Sequence, residues 1–383
     1  MSDRVRIGLV GLGQRGLQHL RSLYQIDAAE ITALCDPFPE NLQEDKLGRF
    51  VDGFSMGATR AHTSFDEMFE AGGLDAIYFS IPPALHAGEV ERCAEAGLHL
   101  FVEKPVSLFL DEAESMRRAI EKAGVIACAG FNQRHDRWHE ATRDFLADKR
   151  LQMMTYVVNG TLESHSVKHT KTEGMGGPAN RVWTANMAWS GATVVEAGIH
   201  QTDLMRYWAG DIAWVEARYL HRADDDIEDG GDNPYAYSVT YGFESGAVAN
   251  LLMSRLRRTF YSDGYHDIMW DRGHLKLESD GPAAYYYDGP YPPEGAVDQA
   301  SLRHLLTEDA RGDSTFEISR AFVEAVRTGD RSHLRNTFSS SINSHCAVLG
   351  ANISDRLGGA RVDLQALLDD AQYAEFRRKP DPS

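Results

Sequence analysis

A glycine motif close to the start of the chain limits the fold more strongly than any other part of the sequence. The motif Gly11-Leu-Gly13-Gln-Arg-Gly16 follows an apolar segment, residues 5–10, and opens a helical stretch that reaches Gln25. Gly11 permits a tight turn, Gly13 lets backbone N–H groups approach a pyrophosphate, and Gly16 lets the helix pack closely on the strand. The N-terminus of the helix then offers its free N–H donors to the phosphates. The pattern predicts a dinucleotide-binding site.

An acidic residue after the second apolar segment indicates which dinucleotide binds. Asp36 follows the segment 31–35, at roughly the 20-residue distance from the last glycine that is typical of this motif. Its carboxylate can accept both ribose hydroxyls and would repel a 2′-phosphate. The residues that follow, Pro37-Phe38-Pro39, include no arginine or serine to receive that phosphate. We therefore expect NAD as the cofactor and NADP to be less favoured.

Strand and helix patterns continue to alternate up to about residue 130. Such alternation predicts a parallel, doubly wound α/β sheet, with ligands in the crevice beyond the carboxyl ends of the strands. Several polar residues and prolines directly follow predicted strands, so we expect them at this crevice: Ser80, Pro82, His86, Glu103, Lys104 and Asn132. The predicted cofactor site comprises these residues, five residues of the glycine motif and the acidic residue: Gly11, Gly13, Gln14, Arg15, Gly16 and Asp36.

The second part of the chain has a different pattern. Long segments with a two-residue period occur at 152–159, 213–220, 235–243 and 247–254, and in 235–243 large apolar residues alternate with small or polar ones. This period is typical of strands with one buried face. We therefore predict two domains: a Rossmann domain at residues 1–130, and an α+β domain with a large, mostly antiparallel open sheet at 131–383.

A run of helical length between two of these strands contains a regularly spaced polar set. Glu196, His200, Asp203 and Tyr207 are four, three and four residues apart within the segment 194–208, which places them on one face of a helix. A carboxylate one turn before a histidine can orient its ring and support proton transfer. The alternative is a buried polar stripe without a catalytic role, but Lys104 at a strand end favours catalysis.

Composition narrows the classes of partner. The net charge of −18 argues against nucleic acid and anionic membrane surfaces, and no apolar run is long enough to span a bilayer. The first strand begins close to Met1, so we expect no signal peptide and a cytoplasmic protein. We expect no metal, because neither the Glu196/His200 spacing nor the His165–His169 pair is supported by an HExxH motif or a cysteine cluster.

Several of these motifs together resemble the glucose–fructose oxidoreductase/inositol dehydrogenase (Gfo/Idh/MocA) family. The resemblance covers nearly the whole chain and is carried by the glycine motif, Cys35-Asp36, Ser80-Ile-Pro82-Pro-Ala-Leu-His86, Glu103-Lys104-Pro105, Asn132-Gln-Arg134, and Gly191 through Glu196 to His200 and Asp203. It implies a Rossmann domain, a C-terminal domain whose open sheet supports the substrate pocket, and a homodimer or homotetramer assembled through that sheet. It also implies that a lysine and a histidine act together on a secondary alcohol or its ketone.

The resulting hypothesis is an NAD-dependent oxidoreductase acting on a sugar, a sugar derivative or a cyclic polyol. Lys104 and His200 would be catalytic, and Glu196 would orient His200 or bind substrate hydroxyls. Further candidates for substrate binding are Arg134, Asp203 and Trp183, the last in the loop 162–184. The chain departs from the family pattern where it has Glu196 in place of the usual Asp, and where Ser190-Gly191-Ala192 contains fewer glycines.

Two other interpretations remain open from the sequence. A non-catalytic dinucleotide-sensing regulator can share the fold, although a sensor has no need of the Lys104, Glu196 and His200 set. An NAD-dependent, redox-neutral glycoside hydrolase shares the hydride step and Lys104. That reaction needs a further base beside the reacting carbon, and no motif places one there.

Overall fold

The computed structural model describes residues 4–161, 183–227, 230–256 and 262–379. The His165–His169 pair and most of the loop 162–184 lie outside these residues. Every helix within the described ranges is too short or too polar to cross a bilayer.

The first part of the described chain alternates strands and helices. Its elements are β1 (Val5–Val10), α1 (Gln14–Tyr24), β2 (Ala29–Cys35), α2 (Glu44–Gly48), β3 (Arg60–His62), α3 (Phe65–Ala71), β4 (Ala76–Phe79), α4 (Glu89–Glu95), β5 (His99–Val102), α5 (Leu110–Ala123) and β6 (Ala127–Ala129). The six described strands pair in parallel in the order β3-β2-β1-β4-β5-β6, which confirms the doubly wound sheet. The strand order reverses between β1 and β4, so a ligand crevice is expected beyond their carboxyl ends.

The second part of the described chain forms a larger sheet and its covering helices. Its elements are α6 (Arg137–Leu146), β7 (Leu151–Thr161), α7 (Met187–Ser190), α8 (Thr193–Glu196), α9 (Ile199–Ala209), β8 (Ile212–Leu220), β9 (Ala236–Phe243), β10 (Val248–Leu256), β11 (Asp263–Trp270), β12 (Gly273–Leu277), β13 (Pro282–Tyr286), β14 (Arg303–Leu305), α10 (Ser314–Thr328), α11 (Phe338–Arg356), β15 (Val362–Asp363), α12 (Leu364–Asp369) and α13 (Ala374–Arg377). The nine described strands have the order β14-β13-β12-β11-β7-β10-β9-β8-β15. Their pairs are antiparallel except β7 with β10, which confirms the predicted mostly antiparallel sheet.

One face of the larger sheet is buried and the other is open. Met154 and Leu251 are fully buried beneath the helices, among which α9 contacts β7 and β10. Their neighbours on the opposite face, Met153 and Leu252, are 38% and 40% exposed. The two-residue period in the sequence therefore reflects one buried and one open face of the sheet, because alternate side chains lie on opposite faces of a strand.

A helix from the second part of the chain completes the core of the first sheet. Phe322 of α10 packs edge-on against Tyr78 and Phe101, with ring centroids 5.4 and 5.7 Å apart. Ile318 of the same helix lies in this core with Leu9 of β1. The division of the chain at residue 130 stays a prediction, because residues on both sides of it share one apolar core.

The segment 194–208 is not the single helix that its composition predicted. Helix α8 ends at Glu196 and α9 begins at Ile199. The backbone N–H of His200 donates to the carbonyl of Ala197, at 3.2 Å, and not to that of Glu196. The Glu196 carbonyl instead accepts a hydrogen bond from Lys104 Nζ at 2.7 Å. The helix is interrupted where a lysine from the first sheet takes the place of a backbone donor.

Candidate active site

A cavity of about 510 Å³ opens where the first sheet meets helices α8 and α9. Gly13, Ser80 and Lys104 line it from the first sheet, and Glu196 and His200 line it from the helices. A larger cleft, of about 650 Å³, lies at α5, α11 and α12 and includes none of the predicted site residues. The smaller cavity is the candidate active site, because it lies beyond the carboxyl ends of the parallel strands and brings the predicted polar groups together.

The glycine turn beside the cavity leaves no space for a side chain at Gly11 or at Gly16. Gly11 has a φ of +88°, and a Cβ atom there would lie 2.4 Å from the carbonyl oxygen of Ser80. A Cβ atom at Gly16 would lie 1.9 Å from the carbonyl oxygen of Gly11. Glycine is therefore required at both positions, by the backbone conformation at Gly11 and by the close approach of turn and helix at Gly16. This is the cradle that a pyrophosphate needs.

Asp36 is buried and holds the glycine turn in place. Its Oδ2 accepts a hydrogen bond from the N–H of Leu12 at 2.8 Å, and its Oδ1 accepts from the N–H of Phe38 and from Asn41 Nδ2 at 3.0 and 2.9 Å. A carboxylate oxygen can accept more than one hydrogen bond, so Oδ2 retains capacity for a ribose hydroxyl. The glycine cradle and this acid fit a dinucleotide.

Glu103 is the centre of a buried ionic cluster at the end of β5. Its Oε1 accepts from Arg15 Nε at 2.8 Å and from His19 Nε2 at 2.6 Å, and its Oε2 accepts from the N–H of Lys104 at 3.0 Å. Burial acts to raise the pKa of Glu103, but Arg15, His19 and Lys104 together hold it well below its usual value. The glycine-motif helix is thereby joined to the backbone of Lys104.

His19 was not among the predicted site residues. Arg15 and His19 are four residues apart on α1, a spacing that places two side chains on one helix face, so the sequence did contain a signal for their shared contact. Burial and the nearby Arg15 charge lower the pKa of His19, which favours its neutral form. Since a carboxylate oxygen only accepts, the ring donates to Glu103 from Nε2.

Lys104 joins the two parts of the site. Its Nζ lies 3.1 Å from Glu196 Oε1 and 2.7 Å from the Glu196 carbonyl oxygen. Both side chains are largely buried, with 10% and 20% of their surfaces exposed. The expected contact between Glu196 and His200 is absent among the described residues, because the Glu196 carboxylate pairs with Lys104. Glu196 therefore fixes the position of the ammonium group.

His200 lies in the cavity as a neutral imidazole. Burial, and then the positive charge of Lys104, lower the pKa of His200 well below its usual 6.5. Its Nδ1 is buried and has no hydrogen-bond partner among the described residues. Nε2 is thus the ring nitrogen available to a ligand, and the neutral ring can accept a proton there.

The structure brings most of the predicted site residues to the cavity. Those that line it are Gly13, Gln14, Arg15, Ser80, Pro82, Glu103, Lys104, Asn132, Trp183, Glu196 and His200. The hydroxyl of Ser80 is buried and has no partner among the described residues, and Asn132 Nδ2 donates to Ser314 Oγ at 2.8 Å.

Six predicted residues lie outside the lining of this cavity: Gly11, Gly16 and Asp36, which belong to the glycine turn described above, and Arg134, Asp203 and His86. Arg134 forms a two-pronged ion pair with Asp203, with both N–O distances 2.7 Å, and both side chains are buried. Ser344 Oγ also donates to Asp203, at 2.8 Å. His86 is buried and contacts the carboxylate of Glu89. The pattern in the sequence placed these side chains near the site, but the structure gives them partners within the protein.

The residues before α8 contain a backbone conformation that is unusual for their sequence. Gly191 has a φ of +73°, and the next residue, Ala192, has a φ of +84° and a ψ of 161°. That region is occupied almost exclusively by glycine. Ala192 is fully buried directly before the helix that carries Glu196. An alanine at this point therefore introduces local backbone strain.

Thr184 and Arg255 are two of the cavity-lining residues that were not individually predicted from the sequence, and both lie in the second part of the chain. Thr184 precedes α7, and Arg255 lies on β10. No motif signals either residue, because each reaches the cavity through the pairing and packing of segments distant in the sequence.

Among the described residues, no group of three or more His, Cys, Asp or Glu side chains is arranged to hold a metal ion.

The fold and the site together define a class of protein. A doubly wound parallel sheet with a glycine cradle and a buried acid, opening onto a lysine and a neutral histidine, is the arrangement of a nicotinamide-dependent oxidoreductase.

Comparison with known families identifies the group within this class. The family model described as "Oxidoreductase family, NAD-binding Rossmann fold" (GFO_IDH_MocA) matches residues 5–131, and the GFO/IDH/MocA C-terminal domain model matches residues 158–276. Together they cover more than half of the chain. The chain belongs to the GFO/IDH/MocA oxidoreductase family, which confirms the resemblance found in the sequence, and it is an NAD(P)-dependent oxidoreductase.

Individual relatives agree with this assignment. The chain is 29% identical to the myo-inositol 2-dehydrogenase of Thermotoga maritima over 85% of this chain and 89% of that protein. It is 26% identical to the inositol 2-dehydrogenase of Rhizobium meliloti over 73% of this chain and 77% of that protein. The fold is similar to the WlbA dehydrogenase of Bordetella pertussis, solved with NADH and UDP-GlcNAcA, with a TM-score of 0.74, 19% identity, and coverage of 95% and 99% of the two chains.

Proposed function

We propose that this protein oxidises a secondary alcohol of a sugar, a sugar derivative or a cyclic polyol with NAD, or reduces the corresponding ketone. The observation that carries the proposal is the meeting of Lys104, Glu196 and His200 in one cavity beside the glycine cradle. The two inositol dehydrogenases among the relatives support a polyhydroxylated small molecule as the substrate.

The proposed roles follow from charge and protonation. When bound, the nicotinamide supplies the hydride acceptor or donor. Lys104, held by Glu196, hydrogen-bonds the reacting oxygen and stabilises negative charge that develops on it. His200, which is neutral, accepts the hydroxyl proton at Nε2 during oxidation and returns it during reduction. Glu196 acts through Lys104 and is in reach of substrate hydroxyls.

Asp36 supports NAD as the preferred cofactor. Its carboxylate already accepts three hydrogen bonds from the chain, which fix its position beside the glycine turn. A 2′-phosphate placed beside this buried anion would meet like-charge repulsion, whereas ribose hydroxyls would donate to it.

The primary experiment is a screen of sugars and cyclic polyols for reduction of NAD, with formation of the ketone product measured in parallel. Stoichiometric formation of NADH and ketone supports the proposal. The same screen with substoichiometric NAD separates the glycoside-hydrolase alternative, since many cleavage turnovers per NAD without net NADH would replace the dehydrogenase assignment. Tight NAD binding without turnover of any substrate would favour the sensing regulator.

We also propose that the open face of the larger sheet joins subunits into a homodimer or homotetramer. Leu252, Val157 and Tyr265 form one row across three adjacent strands, and Leu252 and Tyr265 are 40% and 46% exposed. Exposed apolar rows of this kind are typical of subunit interfaces. Sedimentation of the Leu252→Lys variant should give smaller particles than the unmodified protein; an unchanged monomer in both would overturn this proposal.

A further inference from the structure

The backbone that follows Lys104 is held by a buried histidine of α11. Val106 lies between β5 and α5, so its N–H takes no part in the hydrogen bonding of a helix or a strand. That N–H donates to His345 Nε2 at 2.8 Å, and both residues are fully buried. Because a buried backbone N–H without an acceptor is costly, the contact with His345 stabilises this segment where it lies.

The two hydrogen bonds of His345 determine which of its ring nitrogens is protonated. A backbone N–H only donates, so Nε2 carries no proton, and Nδ1 carries the hydrogen that is donated to the Ser341 carbonyl at 3.2 Å. Burial lowers the pKa of His345 to about 4, in agreement with a neutral ring. His345 therefore acts as a hydrogen-bond acceptor for the backbone and not as a proton carrier.

The residue before His345 binds the helix that carries His200. Ser344 Oγ donates to Asp203 Oδ1 at 2.8 Å, and Asp203 lies about one turn after His200 on α9, on the same face. Adjacent side chains of α11 thus hold the backbone after Lys104 and the helix of the reacting histidine. Both contacts come from one helix of 19 residues with a capped N-terminus, which is a rigid support for a site.

Lys104 is held on its other side by the glycine-motif helix. Glu103, which precedes it, is bound by Arg15 and His19 of α1. The lysine side chain therefore extends from a segment that is fixed at both ends, and its Nζ reaches the Glu196 carbonyl at 2.7 Å. That distance reports the position of the ammonium group relative to α8, so a displacement of the segment would change it.

We propose that His345 is a positioning residue, which sets the place of Lys104 by accepting the hydrogen bond from Val106. Together with Ser344, it sets the distance between Lys104 and His200. This inference rests on the proposed function, in which these two groups act on one hydroxyl of the substrate. A misplacement of about 1 Å at reacting groups can cost roughly 100-fold in rate, so His345 should affect kcat although it does not line the cavity.

Two conservative substitutions separate the acceptor from the rest of the ring. The side chain of His345→Gln is long enough to place an oxygen near the position of Nε2. That of His345→Asn reaches only the position of Nδ1 and leaves the Val106 N–H without an acceptor. We expect kcat to fall about 10- to 100-fold in His345→Asn, with little change in KM, and to be largely restored in His345→Gln.

The matched control is Ser354→Ala, further along the same helix. Ser354 Oγ also accepts from a buried backbone N–H, that of Ala217, at 2.8 Å. The control should therefore lose stability while its kcat stays unchanged. In a Lys104→Met protein, His345→Asn should cause no further fall in kcat, because residues that act as a unit are not additive. An equal loss of kcat in Ser354→Ala, or a full effect of His345→Asn in the Lys104→Met protein, would overturn the proposal.

Crystal structures of the NADH complexes test the proposal independently of turnover, after NADH binding has shown that each variant is folded. The distance from Lys104 Nζ to the Glu196 carbonyl, 2.7 Å in this structure, should be longer in His345→Asn than in the unmodified protein and in His345→Gln. An unchanged distance, or full kcat in His345→Asn, would refute the positioning role and leave the dehydrogenase proposal intact. If the unmodified protein oxidises no sugar or polyol, the proposed function fails, and the distance still decides whether His345 positions Lys104.

Discussion

The two sides of the cavity differ in how far the protein satisfies its own polar groups. On the cofactor side, Asp36 and Glu103 each accept three hydrogen bonds from the chain, although the Ser80 hydroxyl is buried without a partner among the described residues. On the substrate side, His200 Nδ1 and Thr184 Oγ1 are buried without partners among the described residues. A buried polar group without a hydrogen bond costs on the order of 1–3 kcal/mol, so the substrate side is kept in a less stable arrangement.

We interpret this difference as a division of roles: the cofactor side is preorganised for binding, and the substrate side is arranged for catalysis. The cofactor side is rigid because each charge is fixed by several donors, and such preorganisation lets a ligand bind with little rearrangement. On the substrate side, Lys104 is held by Glu196, yet His200 has a ring nitrogen that the protein leaves available. Substitutions on the two sides should therefore change different measured quantities.

The largest effect is expected for the reacting groups. Lys104→Met and His200→Ala should each lower kcat roughly 10²- to 10⁴-fold, because they remove charge stabilisation or proton transfer in the transition state. Steady-state kinetics with any substrate from the screen measures this effect. The Kd of NAD should change little in His200→Ala, since His200 lies on α9 and outside the glycine cradle.

Glu196→Gln is the companion variant for this comparison. It should be milder than His200→Ala, because the amide can still accept a hydrogen bond from Lys104. A folded His200→Ala protein with full activity would remove His200 from the mechanism.

The next largest effect is expected on the cofactor side, in the choice between NAD and NADP. NAD should bind more tightly by about 2–3 kcal/mol, or roughly 30- to 150-fold, because Asp36 repels the 2′-phosphate. Titration of the protein with both cofactors measures this difference. Asp36→Ser should narrow it while also weakening NAD binding, since the serine no longer holds the Leu12 N–H with a charged acceptor. Tighter binding of NADP by the unmodified protein would contradict the role of Asp36.

The same comparison explains what the sequence could predict. The cofactor side is built from residues that follow one another closely, so the glycine motif and Asp36 could be recognised from spacing alone. Lys104 was found because it follows a strand of the parallel sheet, where ligands bind. These predictions needed only local patterns and the rule that strand ends share one edge.

The substrate side depends on contacts between distant segments. Arg255 reaches the cavity through the pairing of β10 with β7, and Thr184 through packing near α7, so neither had a local signal. The segment 194–208 was predicted as one helix because the pattern does not reveal that Lys104 would take the Glu196 carbonyl. Arg134 and Asp203 were predicted to bind the substrate, but the structure pairs them with each other outside the lining of the cavity.

A smaller effect is expected in the pH dependence. Oxidation requires neutral His200, so kcat/KM should fall as the pH decreases through the pKa of His200. Because burial and Lys104 lower this pKa below 6.5, the fall should occur below pH 6.5. Glu196→Gln removes a negative charge beside Lys104 and should move the fall to still lower pH, which pH-rate profiles of both proteins would measure.

The control for the pH prediction is Glu216→Gln, which changes an exposed residue of β8. Its profile should match that of the unmodified protein. A fall of kcat/KM centred above pH 7 in the unmodified protein would show that another group governs proton transfer.

The smallest effect is expected from the strained backbone on the substrate side. Ala192 has a φ of +84° and a ψ of 161°, a conformation that costs an alanine on the order of 1–3 kcal/mol. Glycine relieves this strain but has more freedom in the unfolded chain, so Ala192→Gly should stabilise the protein by about 1 kcal/mol. Ala141→Gly, within α6, should instead destabilise it by about 0.5–1 kcal/mol. Denaturant unfolding measures both changes, and equal destabilisation by the two substitutions would show that Ala192 is not strained.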